Sequence, residues 1–144
     1  MSLQKIAHVP PPTVGPSASV MEAVELMAEE GVGAVAVVDK DELRGIFTER
    51  DVMLRVVLKN RNPAQTRVSE VMTSPPQTAP DDMPLDEALN FLLDKHIRHL
   101  PIVDREGGIH GMLSLRNLLE HMVGYLQREL HSLDQYMAND GPGG

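Results

Sequence analysis

Two short clusters carry the side chains best suited to holding a ligand. Thr48 and Asp51 stand three residues apart, and Ser114 and Asn117 repeat that spacing. Each pair falls where a helix is expected to open. A helix start leaves backbone N–H groups free and carries the positive end of the dipole, so it favours an anion. The same spacing also makes an N-terminal cap, in which the side chains satisfy those N–H groups themselves. On these residues alone both roles stay open, and they can coexist. The two clusters differ in chemistry: ionised Asp51 only accepts hydrogen bonds, whereas Asn117 has one acceptor oxygen, an NH2 donor and no charge. Catalytic patterns are missing. The chain has no Gly-x-Ser-x-Gly elbow, no phosphate-loop lysine motif and no His-Glu-x-x-His, so an enzyme is not expected. Of six histidines, His96 and His99 are three apart, but at a helix end and without a cysteine, so no metal site is expected. Gly31-Val32-Gly33 lacks the third glycine of a dinucleotide loop and precedes a strand where it should follow one.

The elements that position these clusters are written twice. Glu22-Ala23-Val24 and Val37-Val38-Asp39 return as Glu87-Ala88-Leu89 and Ile102-Val103-Asp104, an offset of 65. After one extra residue in Glu106-Gly107-Gly108, Gly45-Ile46-Phe47-Thr48-Glu49-Arg50-Asp51 returns as Gly111-Met112-Leu113-Ser114-Leu115-Arg116-Asn117. Two copies of this length make a pseudo-symmetric pair and not an array. In each copy a Pro-rich lead-in, kept out of helix by its prolines, runs into an extended segment around Thr13 or Thr78. A helix over 19–30 follows, with Ser19 as cap and Val20, Ala23, Val24 and Met27 as its buried stripe. Its twin covers 84–95, with Pro84 in place of the capping serine. The short β-branched run Ala34–Val38, a turn at 39–42 and Leu43–Phe47 form a strand pair, repeated as Leu100–Val103 and Ile109–Leu113. A second helix then opens at Thr48 or Ser114. The order is β-α-β-β-α, twice over, an α/β protein of the α+β type.

Composition narrows the function. The 144 residues carry 13 basic and 21 acidic side chains, for a net charge of −8. That balance argues against a nucleic-acid surface built on phosphate neutralisation. Aromatic residues are 3% and tryptophan is absent, so aliphatic residues and methionine must build the core. Without cysteine there is no disulfide framework, thiolate metal site or redox pair. No apolar run approaches the roughly 20 residues of a membrane span, and the first residues lack the apolar stretch of a secretory signal. A soluble, cytoplasmic protein with no membrane partner is the expectation.

The motif Gly45–Asp51, preceded by a strand ending in Val38-Asp39, resembles the cystathionine β-synthase (CBS) domain. Val68-Ser69-Glu70-Val71-Met72-Thr73-Ser74-Pro75-Pro76 with Thr78 is similar to the lead-in of a second such domain. Ile97-Arg98-His99-Leu100-Pro101-Ile102-Val103-Asp104 is similar to a further family motif. The resemblance covers residues 3–123 and implies a tandem CBS pair, or Bateman module, packed as a pseudo-two-fold pair. Its expected divisions are 1–66 for the first CBS domain, 67–124 for the second, and 125–144 for a C-terminal helix extension and disordered tail. It further implies two clefts for adenosine-containing ligands: AMP, ADP or ATP, with S-adenosylmethionine as the alternative and no required cofactor. In that pattern the Thr48 hydroxyl lies near phosphate and the Asp51 carboxylate takes the two hydroxyls of a ribose. Ser114 and Asn117 form the weaker counterpart, Thr13 and Thr78 join the ligand residues, and Ile46 and Met112 flank the adenine. Arg98 and His99 stand where family members present basic groups to phosphate, and a guanidinium forks onto two oxygens. The first copy has Gly33 and Ala34 there, so two unequal sites are expected, the Asp51 site tighter. Arg50 and Arg116 precede the last motif residue in both copies. For them a solvated helix face stands beside a phosphate or seam contact.

From about Asn117 to Met137, the residues Leu119, Val123, Leu126, Leu130, Leu133 and Met137 recur at spacings of 4, 3, 4, 3 and 4. That is a heptad seam, whereas Asn60-Arg61-Asn62-Pro63 stops the equivalent helix of the first copy. Packing back onto the module is one fate of such a seam. Pairing with a second protomer is the other, and the expectation is a homodimer that signals as a regulatory module to a downstream protein. The sequence leaves that protein unidentified.

Overall fold

The computed structural model describes residues 2–139, with side chains through Gln135. Met137 of the heptad seam and the tail 140–144 lie outside the residues whose side chains are described. The first half contains β1 (Thr13–Val14), α1 (Val20–Glu30), β2 (Ala34–Asp39), β3 (Glu42–Thr48) and α2 (Glu49–Asp51), which continues as a wider π-type helix over Val52–Val57. A short helix α3 (Val68–Val71) leads to the second half: β4 (Ala79–Pro80), α4 (Leu85–Lys95), β5 (His99–Val103), β6 (Ile109–Ser114) and α5 (Leu115–Asn139). Each half has one three-stranded sheet, in order β1-β2-β3 or β4-β5-β6. The first pair of strands is parallel and the second antiparallel. The irregularity in the antiparallel pair falls at Val37/Val38 and again at Ile102/Val103, 65 residues on.

Local chemistry accounts for these elements. Ser19 caps α1 by accepting the Glu22 N–H at 3.1 Å, and Gly31 ends it in the left-handed conformation at φ 68°. Pro84 occupies the cap of α4 with no side-chain bond, and His96 ends that helix at φ 56°, where a non-glycine residue is uncommon. Lys40 and Asp41 both take positive φ in the β2–β3 turn. The strand Ala34–Val37 is buried on both faces, which is why it reads as an unbroken apolar run. Val35 and Val37 face the α1 core with Phe47, while Ala34 and Ala36 meet Ile46 and Met112 in a small apolar seam between the halves.

The lead-ins cross over. Residues 3–8 precede the first half in sequence, yet Leu3 is fully buried with Leu92, Leu100, Leu113 and Leu118 in the core of the second. Its N–H donates to Asp81 O, and His8 exchanges both backbone hydrogen bonds with Met112 of β6. Ser2 Oγ donates to both Asp81 carboxylate oxygens and Gln4 N–H to one. These bonds, the Ser2 hydroxyl foremost, hold the Asp81 carboxyl below its usual range. In mirror fashion Val68 and Val71 pack in the core of the first half, and Thr73 exchanges both backbone bonds with Ile46 of β3. Glycine makes that approach feasible. A Cβ on Gly45 would stand 2.7 Å from Met72 Sδ and 2.8 Å from the Thr73 carbonyl oxygen; on Gly111 the nearest atoms would be side-chain carbons at 3.2 Å. We expect Gly45→Ala to lower unfolding stability by about 1–3 kcal/mol, since overpacking against backbone has no easy relief. Gly111→Ala should cost less. Urea denaturation of both variants checks the order, and a Gly45→Ala midpoint equal to wild type would contradict the crossover packing.

Helix α5 places Leu118 and Met122 on the second core. Its heptad residues Leu119, Val123, Leu126, Leu130 and Leu133 do not fold back: they are 43–62% exposed. Among the described residues no helix is long and apolar enough to cross a membrane.

Candidate ligand clefts

Thr48 and Asp51 form a closed capping box at the start of α2. The Asp51 N–H donates to Thr48 Oγ1 at 3.2 Å, and the Thr48 N–H donates to Asp51 Oδ2 at 3.0 Å. The Thr48 hydroxyl donates to the same carboxylate oxygen at 3.3 Å. Two groups not singled out as ligand residues in the sequence complete the environment. The Thr73 hydroxyl, from the crossed lead-in, donates to Asp51 Oδ1 at 3.2 Å, and Arg55 Nε stands 3.6 Å from that oxygen. Arg55 also donates to the Met72 carbonyl at 2.8 Å, so it ties the lead-in to the carboxylate. Asp51 is only 7% exposed, and what it exposes faces a cleft of about 770 Å3. That size falls within the usual span of small-molecule pockets, about 300–1,000 Å3.

The cleft lies between the halves. From the first come Ile46, Thr48, Glu49, Arg50, Asp51 and Met53; from Thr73 onward come Gln77, His96, Ile97, Arg98 and His99. A second cleft of about 1,200 Å3 uses the equivalent positions with the halves exchanged. There Met112, Ser114, Leu115, Arg116, Asn117 and Leu119 face Gly31, Val32 and Gly33, with His8 in the place of Thr73. Glu49, Arg98 and His99 border both. The second capping pair is simpler: Ser114 Oγ donates to Asn117 Oδ1 at 2.7 Å and accepts the Asn117 N–H at 3.0 Å. Charge separates the clefts further. The first sets Arg50 and Arg98 against Glu49 and Asp51, whereas the second sets Arg98 and Arg116 against Glu30, Glu49 and Glu120. The second thus carries one more acidic side chain than the first.

Of the residues singled out in sequence, Ile46, Thr48, Arg50, Asp51, Arg98 and His99 come together in the first cleft, and Met112, Ser114, Arg116 and Asn117 in the second. Thr13 and Thr78 line neither. Thr13 is exposed on β1, and Thr78 stands just ahead of β4. Pro101 explains the difference between those two edges. In the first half the Ala36 N–H donates to Pro12 O; the equivalent residue Pro101 has no N–H to give, so the chain at Gln77 is not held to β5 and Gln77 lines the cleft. Arg50 reaches across the halves to the His96 carbonyl at 3.5 Å, while Arg116 pairs with Glu120 on its own helix at 2.9 Å.

His99 sits where the halves touch. A Cβ on Gly33 would fall 2.9 Å from Glu49 Oε1 and 3.1 Å from His99 Cε1, so glycine there lets these side chains approach. Burial pulls the His99 pKa down, Arg98 adds to that, and the Glu49 carboxylate opposes it. The unfolded chain therefore takes up a proton near pH 6.5 that the folded chain still refuses. Stability from this group is complete above that pH and declines as pH falls below it. Urea midpoints between pH 7 and 5 should fall less in His99→Gln than in wild type; parallel pH profiles would contradict this placement.

Comparison with known proteins accords with this geometry. The family model for the CBS domain matches residues 3–58 and 68–124. The chain thus belongs to the CBS-domain family, as a tandem pair. An uncharacterised protein of Methanopyrus kandleri is 32% identical over 139 residues, spanning 94% of this chain and 71% of that protein. The chain spans only 18% and 17% of two longer curated relatives, from Arabidopsis thaliana and Schizosaccharomyces pombe. A solved CBS-domain protein from Burkholderia ambifaria superposes with a TM-score of 0.78 at 34% identity, covering 86% of this chain and 95% of that one. CBSX2, solved in complex with AMP, superposes with a TM-score of 0.73 at 26% identity, covering 86% and 97%.

Proposed function

We propose that this chain is a regulatory module, without catalysis of its own, that binds an adenine nucleotide in the Thr48/Asp51 cleft and signals occupancy to a partner protein. The observation that carries the reading is the cleft itself: a buried carboxylate at a helix start shares about 770 Å3 with Arg98 and His99 of the other half. The AMP complex of CBSX2 supports the choice of ligand. In this reading the ribose diol donates to Asp51 by taking over the bond now made by Thr73, and the adenine lies along Ile46 and Met53. Arg98 meets the phosphate, which favours AMP, ADP or ATP over S-adenosylmethionine. The Asn117 cleft binds the same class more weakly, since it offers no carboxylate and carries an extra acid. Two consequences of occupancy follow from the contacts: the Thr73 lead-in loosens from Asp51, and the halves draw together over the phosphate. Titration calorimetry with AMP, ATP, NAD and S-adenosylmethionine tests the proposal. Saturable heat with a phosphorylated adenosine is expected, and heat only with S-adenosylmethionine, or none with any of them, would overturn it.

A further inference from the structure

We propose that the exposed seam of α5 docks an amphipathic helix of a partner protein whose flanking positions are basic, rather than α5 of a second copy. The seam, Leu119, Val123, Leu126, Leu130 and Leu133, is the longest exposed apolar face among the described residues, and it runs on one side of a single helix. Apolar residues at alternating spacings of four and three accept a second helix packed alongside. The flanks decide which helix. With Leu119, Leu126 and Leu133 at d and Val123 and Leu130 at a, the e positions are Glu120, Gln127 and Asp134, and the described g positions are Met122 and Glu129. None is basic. Arg128 falls on the opposite side of the helix, and Arg116 is already paired with Glu120.

Self-pairing puts like charges together in either direction. Run parallel, two copies set Glu129 against Asp134; run antiparallel, they set Glu129 against Glu129, while Glu120 is already neutralised by Arg116. Like charges across a helix pair destabilise it, and opposite charges at e and g select the partner. The net charge of −8 on each copy acts in the same direction at long range. A helix bearing Lys or Arg at its own e and g positions meets attraction at each of these places. The proposal does not depend on nucleotide binding. It does give that reading an output, because Leu119 and Val123 also line the second cleft.

The test uses the full chain and two labelled synthetic peptides with one leucine heptad seam, one carrying Lys and the other Glu at every e and g position. Fluorescence anisotropy should show the Lys peptide binding roughly tenfold or more tightly than the Glu peptide, with the gap shrinking in high salt. The double variant Leu126→Glu/Leu130→Glu, confined to exposed positions, should lose both. Reversing the flanks with Glu129→Lys/Asp134→Lys should invert the preference, which general attraction to an acidic protein would not do. Equal affinities, no binding of either peptide, or a sedimentation mass of a dimer that Leu126→Glu/Leu130→Glu converts to monomer would each overturn the proposal.

Discussion

Asp51→Ala should weaken AMP binding by about 10–100-fold, the loss of one or two hydrogen bonds to a charged acceptor. The same substitution removes the partner of the Thr48 N–H and one end of the Thr73 and Arg55 contacts. A stability loss of about 1 kcal/mol accompanies it, the ordinary cost of a missing helix cap. Asp51→Asn separates the two effects. It copies the pair that Ser114 and Asn117 already make, so it should keep much of the cap while losing the charge-assisted bonds to a ribose. Calorimetry and urea denaturation on both variants read the two quantities independently. Unchanged AMP affinity in Asp51→Ala would confine this residue to capping.

Leu3→Ala should cost about 2–5 kcal/mol, as for other fully buried leucines, out of a total stability of order 5–15 kcal/mol. The informative part is where the damage appears. Leu3 opens the chain, but its neighbours are Leu92, Leu100, Leu113 and Leu118 of the second half. Hydrogen exchange should therefore speed up first in β5 and β6, with β2 and β3 protected longer. Val68→Ala, by the same crossover, should loosen the first half first. If each substitution weakened the half next to it in sequence, the crossed lead-ins would be wrong.

The contrast between these residues shows what the sequence could convey. The 65-residue repeat and its periodicities placed α1, α4 and the four long strands to within about two residues, since period and cap chemistry act locally. The tandem CBS pair expected from the motifs is the family the chain belongs to. The crossed lead-ins were not legible, because a helix as short as the four residues of α3 carries no period and Leu3 gives no sign of which core it joins. The motif residues of both clefts were legible through the repeat. Thr73 was not: its role arises from a chain crossing in space, and its counterpart is His8. Arg55 lies four residues after Asp51, a helical spacing the sequence carries, but its tie to Met72 comes from the same crossing, and its counterpart is His121. The α5 seam was legible as a pattern, but only the structure shows that the module leaves it uncovered.

The most direct measurement is a methyl NMR titration of the full chain with AMP, following Ile46 and Met53 in the first cleft and Met112 and Leu119 in the second. Saturable shifts at Ile46 and Met53 at lower AMP concentration than any at Met112 or Leu119, and their loss in Asp51→Ala, are the predicted result. Silence at Ile46 and Met53 up to millimolar AMP, or shifts that begin in the Asn117 cleft, would contradict the account.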